Sequence, residues 1–306
     1  MIQPPALRIG DSVGIVAPAR KIDASLIDSA KLMIESWGLK VELGQHLFTD
    51  DHAYFSAADD KRLADFQYFL DADHIRAIIC ARGGYGSTRI IDRLDFKNFL
   101  KHPKWITGYS DITALHLKLQ SMNVQSLHGT VPALFHKQGA EPSVANLKAI
   151  LFGEQPSIQV KADKQNKLGV VSAQLIGGNL SLLVDSLGTS TEIMSAGKIL
   201  VVEDVGEHFY RIDRMMVQLK RAGKLKDVKG LVVGYFTDIK ESVLPFNESI
   251  KDIIRHHTQE YNFPIAFNFP IGHEEPNFSF IEGASAILEV TEQASTLTYK
   301  NELINP

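Results

Sequence analysis

The chain is poor in cysteine and has no long apolar segment. Cys80 is the only cysteine among 306 residues, so an intramolecular disulfide framework is excluded. It lies in the apolar run at residues 77–81, which indicates a small buried side chain rather than a nucleophile. No stretch reaches the length that a transmembrane helix needs. Residues 1–5 lack the charged and apolar parts of a secretory signal, so we expect a cytoplasmic protein.

The chain also lacks an excess of positive charge. It has 32 Lys and Arg against 36 Asp and Glu, a net charge of -4 at pH 7. Acidic and basic residues are mixed along the sequence, so no basic stripe is available for phosphates. We therefore expect neither nucleic acid nor an anionic membrane surface as a partner.

Signatures of metal and cofactor sites are missing as well. His273 is followed by two glutamates but by no second histidine at the spacing of zinc peptidases. The glycine-rich segment 82–86 is not followed by the Lys-Ser/Thr of a P-loop, and Arg89 stands where a dinucleotide fingerprint has its third glycine. We predict no metal and no cofactor.

The length and an ordinary apolar content predict two domains. In the first half, short apolar runs at 12–16, 76–81 and 105–107 alternate with helical patterns. This rhythm predicts a parallel sheet covered by helices.

A polar segment at 153–169 interrupts the pattern, and we interpret it as a linker. It separates a predicted N-terminal α/β domain (1–152) from a C-terminal α/β domain (170–306) that is richer in strand.

A serine stands where the third of these strands turns into a helix. Ser110 follows the run 105–107, and the helical pattern begins near Asp111. A hydroxyl at such a bend is exposed at the carboxyl end of the sheet, beside free helix-start amides that can stabilise an oxyanion. Ile112 replaces the second glycine of the G-x-S-x-G elbow, so Ser110 also fits a plain helix cap.

The glycine-rich segment 82–86 again lies between a strand and a helix. Glycines let backbone amides approach a ligand closely. Neighbouring turns of a parallel sheet open at the same edge, so this segment can supply a second oxyanion donor facing the Ser110 turn.

Two further residues fit acid–base chemistry. The apolar run 199–202 ends in Glu203, which suits either the orienting acid of a triad or a solvated strand end. His273 lies in a loop punctuated by glycine and proline, where histidines often function. His128 is the alternative base. The sequence also leaves open that His273 is a surface histidine without a catalytic role.

Five motifs in order resemble one family, the L,D-carboxypeptidases, which are serine peptidases that include murein tetrapeptide carboxypeptidase and the microcin C immunity proteins. The motifs are Arg-Gly-Gly-Tyr-Gly at 82–86, Gly-Tyr-Ser-Asp-Ile-Thr at 108–113, Gly-Gly-Asn-Leu at 177–180, Glu-Asp-Val-Gly-Glu with Tyr-Arg-Ile-Asp-Arg at 203–214, and Pro-Ile-Gly-His at 270–273. The likeness covers nearly the whole chain.

The resemblance implies a nucleophile at Ser110, a general base at His273 and an orienting carboxylate at Glu203. It also implies an oxyanion hole formed by the backbone amides of Gly84 and Asp111. The nucleophile would belong to the first domain and the other two triad residues to the second, with the active site in the cleft between the domains.

A carboxypeptidase must bind a free terminal carboxylate, and a bidentate arginine suits that task. Arg82, Arg211 and Arg214 are available. We select Arg211, because it lies in a matched motif downstream of the orienting carboxylate. Tyr85 and Asn179, from two other matched motifs, are further expected substrate-binding residues.

The function implied is release of the terminal D-alanine from murein tetrapeptide in cell-wall recycling, by a homodimer that binds a small muropeptide. One alternative is an immunity-type hydrolase of aminoacyl-nucleotide mimics, which we expect to need a longer insertion than residues 161–169 provide. A second alternative, of another class, is a non-catalytic nucleotide- or sugar-binding protein, for which an intact triad would have no purpose.

Overall fold

The apolar runs of the sequence form the strands of two separate sheets in a computed structural model that describes residues 1–300. The chain divides into two units. The first unit contains Met1–Glu154 and Pro276–Ile281, and the second contains Gln155–Glu275 and the residues from Glu282 onward.

The described residues form thirteen strands: β1 (Ser12–Val16), β2 (Lys40–Leu43), β3 (Ile75–Cys80), β4 (Trp105–Gly108), β5 (Ser126–His128), β6 (Ile158–Lys161), β7 (Gly169–Asn179), β8 (Ile199–Val205), β9 (Gly230–Thr237), β10 (Ile265–Ala266), β11 (Phe280–Glu282), β12 (Ser285–Val290) and β13 (Ala294–Tyr299).

Seven α-helices connect them within the same residues: α1 (Ala24–Ser36), α2 (Asp59–Asp71), α3 (Thr113–Ser121), α4 (Glu141–Leu151), α5 (Leu180–Asp185), α6 (Phe209–Arg221) and α7 (Ile250–Thr258). None of these helices is long and apolar enough to span a membrane.

The first sheet has the order β11-β5-β4-β3-β1-β2, and the pairs among β1 to β5 are parallel. The side chains of β4 are buried throughout, as is usual for a parallel strand covered on both faces. Because the strands are parallel, the turns that follow β1, β3 and β4 lie at one edge of the sheet.

The second sheet has the order β10-β9-β8-β7-β12-β13-β6. The pairs among β7 to β10 are parallel, whereas β12, β13 and β6 are joined by antiparallel pairing. The predicted architecture, a parallel α/β domain followed by a second α/β domain richer in strand, is confirmed.

The segment interpreted as a linker, residues 153–169, has a different structure. It contains β6, which pairs with β13 and buries Ile158 in the second unit. The strand lies at the edge of its sheet and exposes Gln159 and Lys161, so its sequence is polar. An edge strand needs few apolar residues, and for that reason its composition resembles that of a linker.

The predicted C-terminal domain also differs from the second unit, because residues 276–281 return to the first. There the backbone N–H of Asn277 donates to Ser143 Oγ at 2.8 Å, and that of Ser279 donates to Asn146 Oδ1 at 2.7 Å. Both acceptors lie on α4. This association is long-range in sequence and had no local signal.

A buried histidine connects α3 to the strand that precedes Ser110. The ring of His116 lies 2.9 Å from the carbonyl oxygen of Gly108 through Nε2 and 2.8 Å from Ser126 Oγ through Nδ1. A carbonyl oxygen only accepts, so Nε2 carries the proton and Nδ1 accepts from the serine hydroxyl. Burial lowers the pKa of His116 to about 4.

We predict that His116 makes the first unit sensitive to acid. The folded unit holds the ring neutral, whereas the unfolded chain protonates it near its usual pKa of 6.5. The contribution of the neutral ring to the free energy of unfolding is therefore fully present above pH 6.5. It is lost as the pH falls towards 4, and the total loss is about 3 kcal/mol. Urea unfolding followed by tryptophan fluorescence measures this loss, because Trp37 and Trp105 both lie in the first unit.

The glutamine variant, His116→Gln, keeps a donor for Gly108 without a titratable ring. The difference between its unfolding midpoints at pH 7.5 and pH 5 should be smaller than that of the native protein. Exposed His136→Gln is the matched control and should change nothing. An unchanged pH dependence in His116→Gln would contradict the assignment.

Candidate active site

Ser110 occupies a strained turn directly after β4. Its φ is +63°, a left-handed conformation that residues other than glycine rarely adopt. A short 3₁₀ turn, Ser110–Ile112, follows and leads into α3. Such backbone strain is found at functional sites more often than elsewhere. The turn has the conformation expected of a nucleophile at a strand-to-helix bend.

The glycine-rich segment 82–86 packs directly on this serine. A Cβ added at Gly83 would lie 2.8 Å from the Cβ of Ser110, so only glycine fits there. Gly84 has a φ of +118°. Within residues 1–300, no intramolecular hydrogen bond uses the N–H of Gly84 or of Asp111. The structure thus brings together in the first unit the serine and both predicted oxyanion donors.

The side chain of Asp111 connects the two turns. Its Oδ2 accepts a hydrogen bond of 2.8 Å from the backbone N–H of Ser87, which follows the glycine-rich segment. Burial raises the pKa of Asp111, and the hydrogen bonds from Ser87 oppose that rise. The sequence predicted a role only for the Asp111 backbone. A carboxylate in the first turn of a helix was the available signal for this second role.

Arg62 holds the glycine-rich segment from the other side. This buried arginine donates to the carbonyl oxygens of Gly86 (2.9 Å), Ala57 (3.1 Å) and Pro18, and it pairs with Asp59 at 2.5 Å. Its guanidinium therefore ties the turn after β1 to the turn after β3. Nothing in the local sequence marked Arg62, because its partners are distant backbone carbonyls.

In the second unit, Glu203 and His273 form a hydrogen-bonded pair. His273 Nδ1 lies 2.7 Å from Glu203 Oε2, and the glutamate is wholly buried. A carboxylate accepts, so in the neutral imidazole Nδ1 carries the proton and Nε2 is the basic nitrogen. This is the tautomer that a general base of a serine hydrolase requires.

Two glycines allow this contact. A Cβ at Gly234 would lie 2.3 Å from the carbonyl oxygen of Ile271, and a Cβ at Gly272 would lie 3.0 Å from Glu203 Oε2. The register between β8 and β9 also shifts next to Glu203. The His273 loop can approach the carboxylate only because both positions lack a side chain.

The neighbouring carboxylate, Asp204, has other partners. Its oxygens accept hydrogen bonds from Asn179 Nδ2, from the N–H and hydroxyl of Ser181, and from its own neighbour Val205. Burial, with a contribution from the charge of Glu203, raises the pKa of Asp204 to about 6. Asp204 thus supports the start of α5.

The three predicted substrate-binding residues differ in their burial and in their hydrogen-bond partners. Asn179 is buried, donates to Asp204 and caps α5 by accepting from the N–H of Leu182, so its side chain has structural partners. Arg211 is exposed on α6, with Nη1 3.5 Å from Glu207 Oε2. Tyr85 is 48% exposed and is itself part of the glycine-rich segment.

His128, the alternative base, is unsuited to that role. It is wholly buried in the first unit, and its ring stacks on Phe280 with 4.8 Å between centroids. Across residues 1–300, no group of three His, Cys, Asp or Glu side chains is arranged to hold a metal ion.

Both halves of the chain match models of known protein families. The family model described as LD-carboxypeptidase N-terminal domain matches residues 13–129, and the model described as LD-carboxypeptidase C-terminal domain matches residues 172–288. A Bacillus subtilis (strain 168) protein named probable murein peptide carboxypeptidase is 35% identical over 302 residues, which cover 96% of this chain and 94% of the relative.

Two solved structures share the fold. The muramoyltetrapeptide carboxypeptidase from Oxalobacter formigenes is 26% identical with a TM-score of 0.86, and the match covers 95% of this chain and 99% of that one. The microcin C7 self-immunity protein in complex with aspartyl sulfamoyl adenosine has a TM-score of 0.87, with 98% and 99% coverage. It is only 18% identical, so this second likeness concerns the fold alone.

Proposed function

The chain belongs to the LD-carboxypeptidase family, and from that premise we propose that it is a serine L,D-carboxypeptidase that releases the terminal D-alanine of murein tetrapeptide. The observation that carries the chemistry is the 2.7 Å hydrogen bond between buried Glu203 and His273, which fixes a basic Nε2. The substrate follows from the relatives, two of which are named for murein or muramoyl peptides.

In the proposed mechanism, His273 Nε2 takes the proton of the Ser110 hydroxyl as the oxygen attacks the carbonyl carbon before the terminal D-alanine. The N–H groups of Gly84 and Asp111 stabilise the tetrahedral oxyanion, at about 3–4 kcal/mol per donor. The imidazolium then gives its proton to the leaving amine, and D-alanine departs. Water attacks the acyl-enzyme by the same route and regenerates Ser110.

Glu203 acts on His273 throughout this cycle. It keeps the proton on Nδ1 before the attack and stabilises the cation after it. Because the carboxylate is buried, little solvent screens its interaction with the imidazolium.

The homodimer and the cytoplasmic location stay predictions from the resemblance and the sequence. Light scattering of the purified protein decides the first, and fractionation of cells that express it decides the second.

The first test of the proposal concerns the catalytic unit. Ser110→Ala should lower kcat by about 10⁴- to 10⁶-fold, since nothing replaces the hydroxyl. His273→Ala should cost nearly as much, and the double variant little more, because the residues act on one step. Alanine release is the measurement, and retained unfolding midpoints are the control. Multiplying losses in the double variant would exclude a shared unit.

The two adjacent carboxylates provide a matched pair of variants. Glu203→Gln removes the charge bonded to His273 and should reduce kcat by about 10⁴-fold, as in other triads. Asp204→Asn perturbs the start of α5 and should mainly lower the unfolding midpoint. Steady-state kinetics and thermal unfolding of both variants separate the two effects. If Asp204→Asn reduced kcat more in a folded protein, the orienting acid would be Asp204.

Purified muropeptides test the substrate. The free tetrapeptide should lose one alanine by mass spectrometry and become a tripeptide. A tetrapeptide ending in L-alanine should react poorly, because inverting that centre displaces either the carboxylate or the methyl group. Failure on the tetrapeptide together with hydrolysis of an aminoacyl-sulfamoyl nucleotide would instead identify the immunity-type activity. Binding of a nucleotide or sugar without turnover of any substrate would indicate the non-catalytic class.

A further inference from the structure

Arg82 is a partly buried cation beside the proposed oxyanion hole. It opens the glycine-rich segment 82–86, two residues before Gly84. Its Nη1 donates to the carbonyl oxygen of Lys21 at 2.9 Å. Its Nε is buried and has no hydrogen-bond partner among the described residues. A buried N–H of a charged group without a partner costs free energy, so an acceptor on a ligand that reached this N–H would be stabilising.

A second arginine faces the same segment. The Cβ of Arg20 lies 2.7 Å from the position that a Cβ on Gly84 would take, and its guanidinium lies 5.5 Å from the ring centroid of Tyr54. Burial, and then the charge of Arg20, lower the pKa of Arg82. Two like charges therefore act on each other next to Gly84.

Neither of these arginines has an ion pair within residues 1–300, although the charge of Asp23 acts weakly on Arg82. Their neighbours differ. Arg62 and Arg89 both pair with Asp59, at 2.5 and 2.7 Å. The first unit thus gives two of the four arginines in this region a shared carboxylate and leaves two beside the glycine-rich segment without one.

We infer that Arg82, assisted by Arg20, binds the free terminal carboxylate of the peptide. This rests on the proposed function. In the substrate, the carboxylate carbon of the terminal residue is three bonds from the carbonyl carbon that Ser110 attacks, so the two lie within about 4 Å. An arginine close to the oxyanion donor Gly84 suits that short distance, and a guanidinium matches a carboxylate with two parallel donors.

This assignment replaces the one made from sequence. Arg211 lies in the second unit, is exposed, and already has Glu207 as a partner. An arginine with a carboxylate beside it gains less from a second anion than one without. The unpaired Nε of Arg82 distinguishes the two residues.

The test compares a free with an amidated terminus. The native enzyme should have a kcat/KM for the free tetrapeptide that is about 10- to 100-fold above its kcat/KM for the amidated tetrapeptide, which releases alaninamide. A ratio of this size is expected for a hydrogen bond to a charged group. In Arg82→Met this ratio should fall close to one, mainly because kcat/KM for the free tetrapeptide falls. Arg82→Lys keeps the charge and should retain part of the ratio.

Arg211→Met is the matched control and should keep the full ratio. Arg20→Met changes an exposed position, so it should reduce the ratio without loss of folding. It replaces Arg82→Met in the test if tryptophan fluorescence shows that Arg82→Met is unfolded. Alanine release with an unchanged ratio in the Arg82 and Arg20 variants would overturn this inference and leave the proposed function intact. No alanine release by the native enzyme would overturn the proposed function, and the inference with it.

Discussion

The burial of one carboxylate constrains the whole site of the second unit. Glu203 is inaccessible to solvent and has His273 as its hydrogen-bond partner. Removing one partner of a buried charged pair typically costs about 3–5 kcal/mol. The fold must therefore deliver the imidazole to that carboxylate, and it does so by keeping side chains away from positions 234 and 272. The glycines are a consequence of the buried charge.

The adjacent Asp204 differs from Glu203 in the hydrogen bonds that its carboxylate accepts. Asp204 accepts four hydrogen bonds, so its acceptor capacity is filled by the fold. Within residues 1–300, Glu203 Oε1 has no hydrogen-bond partner, and Oε2 accepts from His273. A carboxylate whose charge is not already balanced by other donors interacts more strongly with an imidazolium when one forms. The two residues thus differ in chemistry although they are neighbours on one strand.

Local patterns in the sequence predicted the longer buried strands well, but they predicted the short strands and the contacts between distant segments poorly. The run 12–16 predicted β1 with the bounds that the structure has, because a buried parallel strand is apolar along its whole length. β6 was missed because an edge strand is polar, and the return of residues 276–281 was missed because its anchors lie on α4. The hydrogen bond from Asn179 to Asp204 joins two segments in the same way and has no local signal in the sequence.

The site residues divide in the same way. The strand-to-helix junction at Ser110 was visible in the sequence, since a turn, a polar residue and a helix start are all local features. Which arginine has a partner was not, because ion pairs join positions far apart in the chain. Among residues 1–300, two backbone N–H groups without an intramolecular hydrogen bond and two guanidinium groups without an ion pair lie at or beside the glycine-rich segment and the Ser110 turn. Attack on a peptide acid develops one negative charge and starts with another. Under the proposed function, these donors would be available to both charges.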